Sequence, residues 1–396
     1  MIRRPLAGLG LAAALAAVGA PTVAQVPEHK LSKPDATFPE AFSLIQGLRE
    51  LPDGRVMIAD PLGQALVVAD LRSGRADTLG KVGQGPREYR QPDGLFALPG
   101  DSTLLVDLGN ARLTVLGPDG SFGATTPLTQ GESGPGPGGG LMIVLPRAVD
   151  GKGRVYFQGM MGGGPGQALP DSAPVMRWDR GTGRIDTVAM VKIQELKRST
   201  SGATGNQNVM VRPVPLSPQD AWTVGWDGRL ALVRSAGYYV EWVNADGRVV
   251  RGGPVTYRPV PVRTADKEEW VAGMGNGVQV SVSIENGRRS MSMRRGGGAG
   301  RDAPDLDSFE WPEVKPAFTA NGAAISPDGA LWVERYMPAG SPRAFDVFAP
   351  DAKLVARVVL PAGRRLVGFG KGVVYLAWND EFDLQYLERH RRPTGI

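Results

Sequence analysis

Four stretches of this chain share one layout without gaps: VMIADPLGQALVV, LLVDLGNARLTV, LALVRSAGYYVEW and VYLAWNDEFDLQYL. In each, an apolar, strand-like run ends at Asp60, Asp107, Arg234 or Trp378. Six residues later, at Leu66, Leu113, Val240 or Leu384, the next run has begun. Two further copies, GRVYFQG to PVMRWD and ALWVERY to AFDVFAP, carry insertions in the same connection, which makes six units. Asp-Gly pairs at Asp53-Gly54, Asp93-Gly94, Asp119-Gly120, Asp150-Gly151, Asp227-Gly228, Asp246-Gly247 and Asp328-Gly329 punctuate the repeat. Both residues of such a pair tolerate positive φ, so the pairs read as tight hairpins. Each unit reads as four strands. In the first they are about Leu44 to Arg49, Arg55 to Asp60, Ala65 to Asp70 and Arg75 to Leu79. Six such units predict an all-β chain folded as a six-bladed β-propeller of four-stranded antiparallel blades. A blade cannot bury both of its faces alone, and radial stacking solves this.

Composition agrees. The chain has 396 residues, of which 42% are hydrophobic, enough to build a full core. Its 55 Gly and 33 Pro disfavour long helices, since each costs about 1 or about 3 kcal/mol inside one. The last unit stops after Asp383 to Arg389 without a fourth strand. A spare segment near Val26 to Leu31, or slightly later, is expected to supply it and close the ring, with His29 and His390 near the junction.

The first residues read as a cleavable export signal over 1–24: Arg3 and Arg4, an apolar run from Leu6 to Ala20, then Pro21 and the small-residue site Thr22-Val23-Ala24. The mature chain is then 25–396, periplasmic or secreted. Without Cys there is no lipid-anchor site, disulfide, thiolate metal site or thiol nucleophile. A net charge of +5, lowered by two when Arg3 and Arg4 leave, is too small to argue for nucleic acid. No transmembrane segment is expected in the mature chain, which is read as a monomer.

In a four-stranded blade the second-to-third turn and the linker to the next blade lie on one face. Nearly all long segments map there: Gly80 to Gln91, Thr129 to Gly140, Gly159 to Ala173, Gln194 to Pro213, Pro254 to Pro316 and Met337 to Pro342. Long loops on one face make it the expected binding side. The largest insertion, about 255–314, holds a helix at TADKEEWVAGM with Asp266 as N-cap, and a hairpin at VQVSVSIENGRRSMSM turning at Asn286-Gly287. This unit is expected to pack over the same face. Arg288, Arg289, Arg294, Arg295 and Arg301 give it an acidic-partner option, such as an acidic glycan.

VDLGNARLTVLGPDGSF resembles the Asp-x-Gly-Asn-x-Arg core of NHL repeats, and VGQGPREYRQPDGL resembles the linker that precedes a blade in such proteins. The blade-like stretch from Trp311 to Tyr336 is similar to blades of exported bacterial propellers of that kind. The resemblance spans most of 36–390, but Asn110 and Arg112 are replaced by Gly63 and Ala65 in the first unit and by Gly237 and Tyr239 in the fourth. It implies a fold and a habit of binding, and no single reaction. Asp107, Asn110 and Arg112 are read as a structural motif: a carboxylate for backbone N–H groups, an Asn for the left-handed region, an Arg for carboxylates or carbonyls.

No nucleophile motif is intact. Gly131-Glu132-Ser133-Gly134-Pro135 lacks the last glycine of a nucleophile elbow. Gly83-Gln84-Gly85 has Glu88 where a dinucleotide fingerprint needs Gly. Two terminal histidines leave little for a triad or a zinc site. The binding candidates are the strand-end residues Asp60, Asp107, Arg234, Glu334, Trp378 and Asn379 near the pore. The first reading is a module that binds a protein, peptide or glycan ligand through the long-loop face. The alternative is a calcium-dependent lactonase- or esterase-like hydrolase or lyase, for which Ca2+ would be held among Asp60, Asp107, Glu334 and Asn379, with Asp60, Asp107, Glu334 or their neighbours converging on one cavity. No other cofactor is expected.

Overall fold

The computed structural model describes residues 26–31, 33–131, 142–159, 168–201, 208–285, 288–296 and 304–396. Six four-stranded antiparallel blades follow one another along the chain. Blade 1 comprises Gly47–Glu50, Val56–Asp60, Ala65–Asp70 and Arg75–Thr78, and blade 2 Pro92–Ala97, Thr103–Asp107, Arg112–Leu116 and Phe122–Pro127. Blade 3 runs from Ala148–Val149 to Ile185–Lys192, blade 4 from Ala221–Val224 to Val249–Arg251, and blade 5 from Phe318–Ile325 to Leu354–Val359. Blade 6 has Arg364–Gly370, Val373–Asn379 and Gln385–Arg391, and takes its fourth strand, Ala36–Thr37, from the other end of the chain.

The core lies between blades. Six apolar clusters each join two neighbours. Met57 and Leu66 of blade 1 meet Leu105 and Leu116 of blade 2. Corresponding clusters join blades 2 and 3, 3 and 4, 4 and 5, and 5 and 6. Ile58 and Val56 then meet Tyr375 and Leu387 of blade 6, closing the circle. Second strands are sandwiched on both faces, and every residue of Val56–Asp60 and Thr103–Asp107 is buried. That is why these runs read as apolar stretches rather than as alternations.

The ring closes within the expected segment, but in two steps. Glu28–Lys30 adds a fifth, parallel strand outside Leu354–Val359 of blade 5. Only the later Ala36–Thr37 pairs with Glu388 and Arg389 of blade 6. His29 therefore sits on blade 5's edge, while His390 is buried in blade 6 against Glu388 at 3.0 Å.

Three local readings are corrected. The layout is gap-free in blades 1, 2 and 4, where Asp60↔Ala65, Asp107↔Arg112 and Arg234↔Tyr239 pair. Blade 6 carries one extra residue, so that Asn379, not Trp378, ends the strand and pairs with Gln385. At Pro52-Asp53-Gly54 only Gly54 has positive φ (85°), and its N–H donates to the Leu51 carbonyl. This is a type I turn closed by a left-handed glycine, not a turn with two left-handed residues. Asp93-Gly94 is no turn at all, for it lies inside Pro92–Ala97.

The insertion between blades 4 and 5 contains one helix, α1 (Thr264–Gly273), and a hairpin of Val278–Glu285 with Arg288–Arg295. Arg263, not Asp266, is the N-cap. Asp266 stands three residues in, and its carboxylate accepts the Arg263 N–H at 2.8 Å. The segment read as a leader, the turn expected at Asn286-Gly287, Glu132 to Pro135 and Arg301 lie outside the described residues. No helix among the described residues is long and apolar enough to cross a membrane.

Candidate functional site

Antiparallel order within each blade puts the second-to-third turn and the exit to the next blade on one face. The insertion spans that face. Asp266 receives the Ala339 N–H of blade 5 at 2.8 Å and pairs with Lys315 at 2.7 Å. Both side chains of this pair are buried. The hairpin reaches the far side of the ring. Met293, Val278 and Val280 join the cluster between blades 2 and 3. Arg295 pairs with Asp93 of blade 2, and its N–H donates to Gln91 Oε1 at 2.8 Å. Arg295 is thus seated in the propeller, while Arg294 stays exposed beside Gln279.

The strand-end candidates divide. Asp60 accepts N–H bonds from Ser43, Leu44 and Gly63 at 2.7, 3.0 and 2.7 Å. Asp107 accepts from Arg90 and Gln91, both at 3.1 Å, and from the Asn110 side chain at 2.7 Å. Each fastens the linker entering its own blade. Asn110 and Arg112 extend this fastening, donating to the carbonyls of Gly83, Gln84, Gly85 and Glu88. The residue with positive φ is Ala111 (49°), not Asn110, matched by Gln64 in blade 1 and Tyr238 in blade 4. Arg234 is held between Glu241 and Asp220 at 2.8 and 2.9 Å. Trp378 stacks on Tyr386 with centroids 4.9 Å apart, under the Arg364 guanidinium. These four residues serve the blades.

Glu334 and Asn379 do line one space. A cleft of about 360 Å³ opens between α1 and blades 5 and 6. Its walls include Glu269, Trp270, Tyr336, Ser341, Arg343 and Arg365. A second cavity, of about 270 Å³, is lined by the innermost strands of blades 5 and 6 and shares Glu334, Arg343 and Arg365 with the first. Two β-bulges make it. Pairing in blade 5 slips between Phe318 and Ala323, and in blade 6 between Leu366 and Gly368. Bulges bend a strand and re-aim its side chains, here Asn321 and Leu366 to Phe369. Gly322 permits the first bulge, because a Cβ there would fall 2.2 Å from Thr319 Oγ1.

The charge in this region is cationic. Burial, with Arg343 and Arg295 nearby, pushes Arg365 down to about 10, and burial alone does the same to Arg147. Both stay charged near neutral pH. Burial pushes the Tyr336 hydroxyl up to about 12, so it is a neutral donor there. Burial also acts to raise Asp266, but Lys315 and the N–H groups of Arg263 and Ala339 outweigh it and hold the carboxyl below its usual range. Among the described residues no three acidic or histidine side chains gather where a metal could be held. The oxygen cage required for calcium does not fit Asp60, Asp107 and Glu334, since the first two spend their lone pairs on backbone N–H groups.

Sequence reasoning missed Arg147, Asn321, Arg343 and Arg365. The signal available was indirect: NG at Asn321-Gly322 inside a strand pattern marks a bulge, which points to a worked surface.

No protein-family model and no curated protein matches this chain. Solved structures resemble it in outline. A DUF4221-family member from Bacteroides vulgatus is 9% identical, over 91% of this chain and 97% of that one, with a TM-score of 0.45. Regucalcin, a calcium-binding protein from Agrobacterium tumefaciens, is 11% identical over 93% and 98%, with a TM-score of 0.40. A gluconolactonase from Xanthomonas campestris is 12% identical over 93% and 99%, with a TM-score of 0.39. Likeness at this level carries no chemistry, and the six blades rest on the strand pairing itself.

Proposed function

We propose that this chain is an exported, NHL-like propeller that works as a ligand-binding module, taking a small molecule or the end of a longer chain into the cleft beneath α1. One observation carries the reading. The only two sequence candidates that line a common space, Glu334 and Asn379, do so in a cleft walled by the insertion on one side and two blades on the other. A concave space of this size, with aromatic and charged groups converging on it, is the ordinary form of a ligand site. The calcium-hydrolase alternative is less favoured here, because the Asp60 and Asp107 carboxylates are turned to backbone N–H groups rather than to the cleft.

The test is a thermal-shift screen of mature protein against sugars, amino acids, peptides and organic acids, run in parallel on Ser341→Trp. The indole fills the cleft without touching a blade core. Compounds that raise the Tm of the unaltered protein, and not that of the variant, establish the site. Equal shifts in both proteins, or none, defeat the reading.

A further inference from the structure

We propose that the cavity between the innermost strands of blades 5 and 6 is an oxyanion site, in which Arg365 receives the carboxylate or phosphate group of the ligand and Arg147, held on Asn321 outside the cavity wall, adds its charge. The inference rests on the cleft being a ligand site and names the chemistry that enters deepest.

Charge accounting around the cavity leads there. Glu334 pairs with Arg343 at 2.6 Å, and Asp93 with Arg295, so these four charges cancel. Arg147 and Arg365 are left over. Arg147 donates only to neutral groups, Gln158 Oε1 at 3.2 Å and Asn321 Oδ1 at 3.1 Å, and lies over the Trp222 ring at 4.7 Å. Arg365 spends one terminal nitrogen on Ile45 O and Gln385 Oε1, at 2.5 and 2.8 Å. Neither forms an ion pair among the described residues. A guanidinium withdrawn from water without an anion is costly, and proteins normally supply a partner.

Several other part-buried arginines of the fold meet that rule, although Arg49, against blade 2, also donates only to neutral oxygens. Arg154 has Asp150, Arg177 has Asp186, Arg234 has Asp220 and Glu241, and Arg357 has Asp346. Arg365 departs from it inside the hollow that two bulged strands leave. Asn321 links the two cations, for it lines the cavity with Arg365 and accepts a hydrogen bond from Arg147. Guanidinium forks suit the planar oxygens of carboxylate and phosphate, and in a narrow channel the attraction is weakly screened. Glu334 at the same wall would repel a second negative group, which favours a ligand with a single anionic end.

The experiment is a titration of the full mature chain with sodium phosphate and, separately, sodium succinate, at fixed ionic strength made up with chloride, read by Tm and by calorimetry. Arg147→Gln, Arg365→Gln and the double variant are compared with Arg248→Gln, an exposed control on an outer turn. The expected result is stabilisation by one of the two anions, about tenfold weaker or more in each single variant and unaltered in the control. Phosphate acting alone names a phosphate ligand, and succinate acting alone a carboxylate. If the double variant does not fold, the two single variants carry the comparison. Stabilisation by neither anion, or stabilisation retained in both single variants, overturns the proposal. A neutral compound that binds the unaltered protein but not Ser341→Trp, with no anion effect, would leave the cleft standing as a ligand site and remove only this inference.

Discussion

Blades 1 and 2 and blades 5 and 6 use the same repeat in opposite ways. In the first pair, the carboxylate at the end of the second strand turns back on the chain. Asp60 and Asp107 gather the N–H groups of the incoming linker. In the second pair the corresponding positions are Glu334 to Arg335 and Asn379, both innermost strands are bulged where only that of blade 2 is in the first pair, and two cavities that share lining residues open. A propeller position can be spent on holding the ring together or on presenting a side chain. A carboxylate with three backbone partners has no capacity left for a ligand.

Replacement at matched positions sharpens this contrast, with the largest effect expected in blade 2. Asp107→Ala strands the N–H groups of Arg90 and Gln91 and leaves Arg112 without its carboxylate at 3.5 Å. A loss of about 3 kcal/mol in a urea titration is expected. Glu334→Gln, which breaks only a pair with the half-exposed Arg343, is expected to cost less than about 1 kcal/mol. Equal costs would dissolve the distinction between holding and presenting positions.

A smaller effect separates the insertion from the ring. The Asp266 carboxyl is held below its usual range when folded, so its contribution is complete above the unfolded value of about 4 and is lost as pH falls from there through the folded value. Stability of the native chain should fall more steeply between about pH 5 and 3 than that of Asp266→Asn. Hydrogen exchange in α1 is expected to show the loss before the blade strands do. Parallel slopes in the two proteins would show that the Asp266–Lys315 link does not hold the insertion down.

The smallest expected effect is none. EDTA and calcium should leave Tm unchanged in protein purified without chelator, because the strand-end carboxylates are committed to N–H groups. A clear rise with calcium would restore the alternative reading and place oxygen ligands where the blade 5 and 6 cavities meet.

The blades were legible because their signals are local. Apolar runs buried on both faces, left-handed glycines at the outer turns and a fixed distance from strand to strand all act within a few residues. The one-residue insertion before Gln385 escaped because Leu384 and Gln385 fit the pattern equally well until pairing chooses. Asp93-Gly94 escaped because its hairpin signal was overridden by the pairing of Pro92–Ala97 with Thr103–Asp107, where the pair sits at a register shift. The same limit hid the site. Arg147, Asn321 and Arg365 come from three different blades or linkers, and nothing in their spacing announces that Asn321 and Arg365 share a wall with Arg147 bonded to it. Trp378 and Arg234 were drawn in as binding residues by position alone, and stacking and ion pairing claim them.

The closing strand has a consequence for how the molecule is made. Ala36–Thr37 finds its partners at Glu388 and Arg389, so an early-synthesised segment waits for one made some 350 residues later. Until then blade 6 lacks its outer edge, and the clusters on its two sides, to blade 5 and to blade 1, are incomplete. Contacts this far apart in sequence carry the largest loop-closure entropy and set the slowest step. The nascent chain is therefore an open arc with a raw strand edge for as long as its last blade is missing, and that edge is where it is most exposed to pairing with another copy of itself.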